Sequence, residues 1–106
     1  IREAAGDATD LLVRDSAQGA QLAATLGENA VVLMRGHGSA AVGGSVPEAV
    51  YRAVYTEVAA KALLAATQLG IPAYLSEAEA RAADRTISAQ IVRAWDYWRS
   101  KVDPTE

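Results

Sequence analysis

The stretch AVVLMRGHG, residues 30–38, indicates the fold more clearly than any other part of the chain. Its first five residues are apolar and form a run of strand length between turn signals, which is typical of a strand buried on both faces. The run ends at Gly36-His37-Gly38, where glycine on each side of the histidine allows the backbone to turn sharply. So short a link favours an antiparallel neighbour, and we expect a second strand at residues 39–42.

Helices are predicted on both sides of this strand pair. Before it, Asp15 or Ser16 can cap a helix that runs to about Leu26 and stops at Gly27. A short strand can precede this helix at residues 11–14. After the strand pair, SVPE at residues 45–48 and SEAE at residues 76–79 have the pattern of a capping box, so each predicts the start of a helix.

The first of these two helices is expected to end at Gly70 and the second to run unbroken to Asp103. This element order predicts the α/β class, as a three-layer α/β/α arrangement whose mixed or mainly antiparallel sheet is completed by upstream strands. Trp95 and Trp98 lie near the chain end, so we expect this end to pack on another subunit or on a missing segment.

Composition excludes several classes of function. The 106 residues carry a net charge of -3, and no basic patch is evident, so nucleic-acid binding has no electrostatic support. No apolar run is long enough for a membrane span, and the prediction is a cytoplasmic protein. The absence of cysteine excludes disulfides and thiolate metal sites, and a single histidine excludes a site that needs several histidines from this chain.

His37 is the candidate functional residue that the pattern itself indicates. An imidazole at the carboxyl end of a buried strand, on a fixed turn, suits a metal ligand or an acid–base group. The structural alternative is a turn in which His37 only hydrogen-bonds a backbone carbonyl. The residues alone leave both roles open. A zinc site needs three or four ligands, and this chain offers no second histidine.

The order of these features resembles the class II aldolase/adducin family. The resemblance rests on the strand, the histidine turn, Val42-Gly43, and Val46-Pro47-Glu48-Ala49 opening the long helix, and it covers most of residues 16–70. It implies that residues 1–106 are the C-terminal part of the family's domain, with the N-terminal part absent. The RGHG form and the tryptophan-bearing last helix are similar to the branch that contains metal-dependent decarboxylases of aromatic or pyridine carboxylates.

The resemblance implies a metal site. His37 would be the third ligand of a catalytic Zn²⁺, or of another divalent ion such as Mn²⁺. The other ligands, a His-x-His pair, and a catalytic glutamate would come from the N-terminal segment of the same protein. The implied reaction is carbon–carbon bond cleavage by stabilisation of an enolate-like intermediate, in aldol cleavage or decarboxylation, and this chain alone is expected to be inactive.

The resemblance also implies partners and further site residues. The substrate would be a small molecule, either a sugar phosphate or an aromatic or hydroxy acid, whose carboxylate Arg35 could attract. A homotetramer with sites at subunit interfaces is implied, where Tyr97 could reach a neighbour's site, although packing explains Tyr97 as well. Glu57 could support the site, although a helical pair with Lys61 already accounts for it.

Two other functions stay open on the sequence. One is a non-enzymatic, adducin-like assembly or binding module with the same fold. The other sets the resemblance aside and takes the chain as a small helical interaction domain with a short sheet.

Overall fold

The computed structural model of the chain describes residue 6 and residues 8–102. It divides into two compact units, with the boundary after Val42. The elements of the described part are, in chain order, α1 (Ser16–Leu26), β1 (Val31–Met34), β2 (Gly38–Ala41), α2 (Val46–Leu69), α3 (Glu77–Ser88) and α4 (Ile91–Arg99). No helix among these residues is both long and apolar enough to cross a bilayer.

The first unit contains the predicted antiparallel pair of strands. β1 and β2 pair in a register that places Val31 opposite Ala41 and Met34 opposite Gly38. The second strand begins at Gly38, one residue earlier than predicted, and its last position is Ala41. Helices combined with an antiparallel sheet agree with the α/β class at this coarse level.

One face of β1 is open, which corrects the prediction of a strand buried on both faces. Val32 is 7% exposed, whereas its neighbour Leu33 is 76% exposed. Because side chains alternate across a strand, the two point to opposite faces. Helix α1 contacts β1, and within the described residues nothing comparable shields Leu33. Apolar composition alone therefore did not reveal that only one face is covered here.

Helix α1 has the predicted ends. The Asp15 carboxylate accepts a hydrogen bond from the Gln18 N–H at 2.8 Å, as an N-cap does. Gly27, with φ 55°, ends the helix and donates its N–H to the Ala23 carbonyl at 2.9 Å. The strand suggested at residues 11–14 is wrong, because this segment is irregular and Leu11 has φ 65°.

The second unit begins with the long helix α2, whose cap differs in one bond from the predicted box. The Ser45 hydroxyl accepts from the Glu48 N–H at 3.3 Å as expected. The Glu48 carboxylate, however, accepts from the Gly44 N–H at 2.7 Å and pairs with Arg52 at 2.7 Å. The box thus reaches one residue further back than the usual pattern, and it still satisfies a free N–H before the helix.

The last helix is two helices, which corrects the prediction of an unbroken one. The SEAE box is complete at the start of α3, but the chain leaves the helix after Ser88 and begins α4 at Ile91. The Ser88 hydroxyl donates to the Asp84 carbonyl at 2.8 Å, and the Gln90 N–H donates to the Ile87 carbonyl at 2.7 Å. The Gln90 bond runs to a carbonyl three positions back, so a tight turn separates the two helices here.

An aromatic cluster joins α4 to α2. The rings of Tyr51 and Tyr55 stack at 4.4 Å between centroids, and Trp98 tilts against them at 6.1 and 6.5 Å. Trp98 therefore has partners within this chain, and the expectation that this end of the chain packs on another subunit or a missing segment stays a prediction.

Candidate functional site

The turn between β1 and β2 needs both of its glycines. Gly36 has φ 77° and Gly38 has φ 88°, a left-handed conformation that other residues adopt at a cost. The His37 N–H donates to the Met34 carbonyl at 3.1 Å and closes the turn. The side chain of His37 is exposed, so the turn presents the imidazole at the end of β1 as the sequence predicted.

The imidazole makes one long-range hydrogen bond. Its Nε2 atom lies 2.8 Å from the backbone carbonyl oxygen of Asp10, 27 positions earlier in the chain. Because a carbonyl oxygen can only accept, Nε2 carries the hydrogen and the neutral ring keeps its lone pair on Nδ1. A hydrogen bond to a backbone carbonyl is what a purely structural role of His37 would require. The same kind of bond usually orients histidines that bind a metal ion through their other nitrogen.

Asp10 is the residue that sequence reasoning missed. Its Oδ1 atom accepts from the Leu12 N–H at 3.1 Å, and its carboxylate pairs with Arg14. The ATDLL stretch around it has no helix or strand period, and its single signal was the ability of Asp to form a local turn. Nothing in that signal connects it to a histidine 27 positions away.

The described residues do not form a complete metal site. Within residues 6 and 8–102, no group of three or more His, Cys, Asp or Glu side chains could hold an ion. His37 fits the role of one ligand, because it is exposed and one ring nitrogen stays available. A zinc or manganese ion would need its other ligands from elsewhere.

Arg35 lines a cavity whose other walls are mostly apolar. The cavity has a volume of about 160 Å³, and its walls include Leu11, Leu22 and Leu33. The Arg35 side chain is exposed, and it has no ion pair within the described part of the chain. A guanidinium next to an aliphatic wall can bind the carboxylate of a partly apolar molecule.

Tyr97 and Glu57 both belong to the second unit. Tyr97 is 60% exposed, and the Lys101 ammonium lies 5.1 Å from the centre of its ring. Glu57 pairs with Lys61 at 2.8 Å, and the hydrogen bond from Lys61 holds the pKa of the Glu57 carboxyl below its ordinary value. The surface pair predicted from the sequence thus accounts for Glu57, and the roles of Tyr97 and Arg35 at a site remain predictions.

Comparison with known proteins identifies similar chains. Residues 3–64 match the family model described as "Class II Aldolase and Adducin N-terminal domain". The chain is 36% identical over 116 residues to a protein of Talaromyces stipitatus named decarboxylase tropJ. That alignment covers 92% of this chain and 44% of the relative, so the chain spans less than half the length of the curated protein that it matches.

Proposed function

We propose that this chain, which belongs to the class II aldolase and adducin family, is the C-terminal part of a divalent-metal-dependent lyase that cleaves carbon–carbon bonds. The observation that carries the proposal is the exposed imidazole of His37, presented at the end of β1 by a turn with two left-handed glycines. The similarity to a protein named as a decarboxylase favours loss of CO₂ over aldol cleavage.

The proposal assigns one metal ligand to this chain. His37 would hold Zn²⁺, or another divalent ion such as Mn²⁺, through the ring nitrogen that Asp10 does not occupy. When bound, such an ion supplies positive charge that stabilises an enolate-like oxygen. The other ligands and the acid–base group would lie in an N-terminal segment of the same protein.

In the proposed reaction the bond between a carbon and its carboxylate breaks. The electron pair stays on that carbon and is delocalised onto an adjacent oxygen, CO₂ leaves, and a proton is then added to the carbon. In this chain Arg35 would orient the substrate through an anionic group, and His37 would keep its ring fixed while charge develops.

The cavity beside Arg35 favours an aromatic or hydroxy acid over a sugar phosphate. Its aliphatic walls can cover an apolar part of a substrate while the guanidinium binds a carboxylate. A sugar phosphate is polar throughout, and among the described side chains that line the cavity Thr25 and Arg35 alone carry a hydroxyl or a charge to bond it. We expect Arg35→Gln to raise KM for a carboxylate substrate more than it lowers kcat.

We further propose a cytoplasmic homotetramer with the three-layer α/β/α arrangement, in which further strands and a helix layer enclose the cavity that Leu33 lines on the open face of β1. The exposure of Leu33 supports this arrangement, because an aliphatic side chain at the centre of a hairpin is usually covered. In the tetramer Tyr97 would reach the site of a neighbouring subunit. Mixing the Tyr97→Phe and His37→Ala proteins should then restore part of the activity that each has lost.

Metal content and turnover of the intact protein test the proposal. We expect the purified protein to carry a divalent ion and to release CO₂ from an aromatic or hydroxy acid, and His37→Ala to lose both. Arg81→Gln, which changes an exposed ion pair on α3, serves as the matched control and should keep both. A metal-free, inactive intact protein, or a His37→Ala protein with full metal content and turnover, would contradict the proposal and favour an adducin-like binding module.

A further inference from the structure

We propose that residues 9–14 form a positioning turn that fixes the orientation and the tautomer of the His37 imidazole. The contact between them is the 2.8 Å hydrogen bond from Nε2 to the Asp10 carbonyl. It connects two segments of the same compact unit that are 27 positions apart in sequence. A bond of this kind can hold an exposed ring only if the carbonyl itself is held.

The local bonds of the turn hold that carbonyl. The Leu12 N–H donates to Asp10 Oδ1 at 3.1 Å, and the Leu11 N–H donates to Thr9 Oγ1 at 3.0 Å. Arg14, the last residue of the turn, pairs with the Asp10 carboxylate. Together these contacts restrict the peptide group between Asp10 and Leu11, which carries the oxygen that His37 uses.

Leu11 supports the same interpretation. Its φ of 65° is unusual for a residue with a branched side chain, and such a conformation persists only where the surroundings impose it. The outlier follows directly after the carbonyl that binds His37. The turn thus accepts an unfavourable backbone conformation at the point where it presents this oxygen.

The turn is also attached to a regular element. The Arg14 N–H donates to the Gln18 side-chain oxygen at 2.7 Å, and the Gln18 N–H donates to the carboxylate of Asp15, the N-cap of α1. These bonds connect the end of the turn to the first turn of α1. A support on a helix holds a side chain more accurately than a free loop does.

The consequence for His37 is a choice between its two nitrogens. An exposed neutral imidazole without a partner exchanges its hydrogen between Nδ1 and Nε2 and rotates about its side-chain bonds. The Asp10 carbonyl selects the form with hydrogen on Nε2, so the lone pair is on Nδ1. That Nδ1 then receives a metal ion depends on the proposed function, whereas the fixed ring does not.

The test is nuclear magnetic resonance of the metal-free intact protein with ¹⁵N-labelled histidine, in mildly alkaline buffer. The His37 signals are assigned by their loss in His37→Gln. We expect an Nε2-bound hydrogen that exchanges slowly with water and an Nδ1 without hydrogen. Asp10→Ala keeps the carbonyl but removes the side-chain bond from the Leu12 N–H and the pair with Arg14. The exchange of the Nε2 hydrogen should then be roughly three- to tenfold faster, the effect expected for one lost hydrogen bond, and the second tautomer should appear.

Two further variants sharpen the test. Asp10→Asn keeps an oxygen for the Leu12 N–H and should retain most of the protection, whereas Arg14→Gln should lose part of it. Arg81→Gln removes an exposed ion pair of the same i,i+4 type on α3 and should leave the His37 signals unchanged.

Three outcomes would overturn the proposal. They are a hydrogen on Nδ1 in the unmodified protein, unchanged exchange of the Nε2 hydrogen in a folded Asp10→Ala, and an equal increase of that exchange in Arg81→Gln. If Asp10→Ala does not fold, the tautomer of the unmodified protein and the Arg14→Gln variant decide. A fixed tautomer in a protein that binds neither Zn²⁺ nor Mn²⁺ would refute the proposed function alone, and binding of either ion with a mobile ring would refute this proposal alone.

Discussion

Trp98 lies against Tyr51 with 6.1 Å between the ring centroids and a tilt of 41° between the ring planes. The contact joins the last helix, α4, to the first half of α2. Tyr55 completes the cluster by stacking on Tyr51. Since offset and tilted aromatic pairs attract beyond the area that they bury, this cluster stabilises the contact between the two helices.

The first prediction concerns the removal of this connection. We expect Trp98→Ala to lower the free energy of unfolding by about 2–3 kcal/mol, somewhat less than for a fully buried tryptophan, because Trp98 is only half-buried. Leu69→Ala is the control, since Leu69 is 92% exposed and its loss should change stability by about 0.5 kcal/mol at most. Urea denaturation followed by circular dichroism measures both, and equal effects would contradict the assigned role of Trp98.

The elements that the sequence predicted correctly depend on local patterns. The glycines around His37, the Asp15 cap and the SEAE box each act over a few residues, and the structure contains all of them. Such features can be predicted from the sequence because the hydrogen-bond donors and acceptors that pair in them are only a few residues apart in the chain.

The features that were missed depend on contacts between distant residues or on competition between similar bonds. The Asp10–His37 bond spans 27 positions, and no local pattern indicates it. The exposure of Leu33 depends on what covers β1, which its own composition does not reveal. The break after Ser88 occurs where the Gln90 N–H bonds the Ile87 carbonyl three positions back, although the helical spacing of apolar residues continues across it.

The second prediction concerns Gly43, which packs against the start of α2. A Cβ atom added there would lie 2.7 Å from the backbone nitrogen of Ala49 and 3.0 Å from Glu48 Cβ. Neither atom can move without shifting the helix, so we expect Gly43→Ala to destabilise the protein by about 1–3 kcal/mol.

A matched glycine provides the control for this variant. Gly70 follows the same helix, has an extended φ of 161°, and has nothing within 4 Å of an added Cβ. Gly70→Ala should be neutral or stabilising by up to about 1 kcal/mol, because alanine restricts the unfolded chain. Thermal denaturation of both variants measures the difference, and a Gly43→Ala protein as stable as Gly70→Ala would show that the close approach is not required.

The third prediction concerns the cap of α3. The Ser76 hydroxyl accepts from the Glu79 N–H at 3.2 Å, and the Glu79 carboxylate accepts from the Ser76 N–H at 2.8 Å. Ser76→Ala removes the first bond and should cost about 1 kcal/mol. Ser88→Ala, at the other end of α3, removes only a bond to a helix carbonyl and should cost less. Hydrogen exchange of the first amides of α3 should increase in Ser76→Ala alone, and similar exchange in both variants would contradict this role.

The fourth prediction concerns the ionisation of Tyr51. Burial raises the pKa of the Tyr51 phenol above 10.0, and the neighbouring charge and hydroxyl of Tyr55 raise it further. Tyr55→Phe should therefore lower the pKa of Tyr51 only part of the way, because the burial remains.

The raised pKa also sets the sign of the pH dependence. The folded state holds the Tyr51 proton more tightly than the unfolded state, so the associated stability is fully present below pH 10.0 and is lost as the pH rises through the folded value. Absorbance of tyrosinate against pH, assigned with Tyr51→Phe, measures the shift. Tyr74→Phe is the control and should leave the pKa of Tyr51 unchanged, since Tyr74 is 74% exposed and makes no ring contact with the cluster. A Tyr51 pKa that stays unchanged in Tyr55→Phe would show that burial alone raises it.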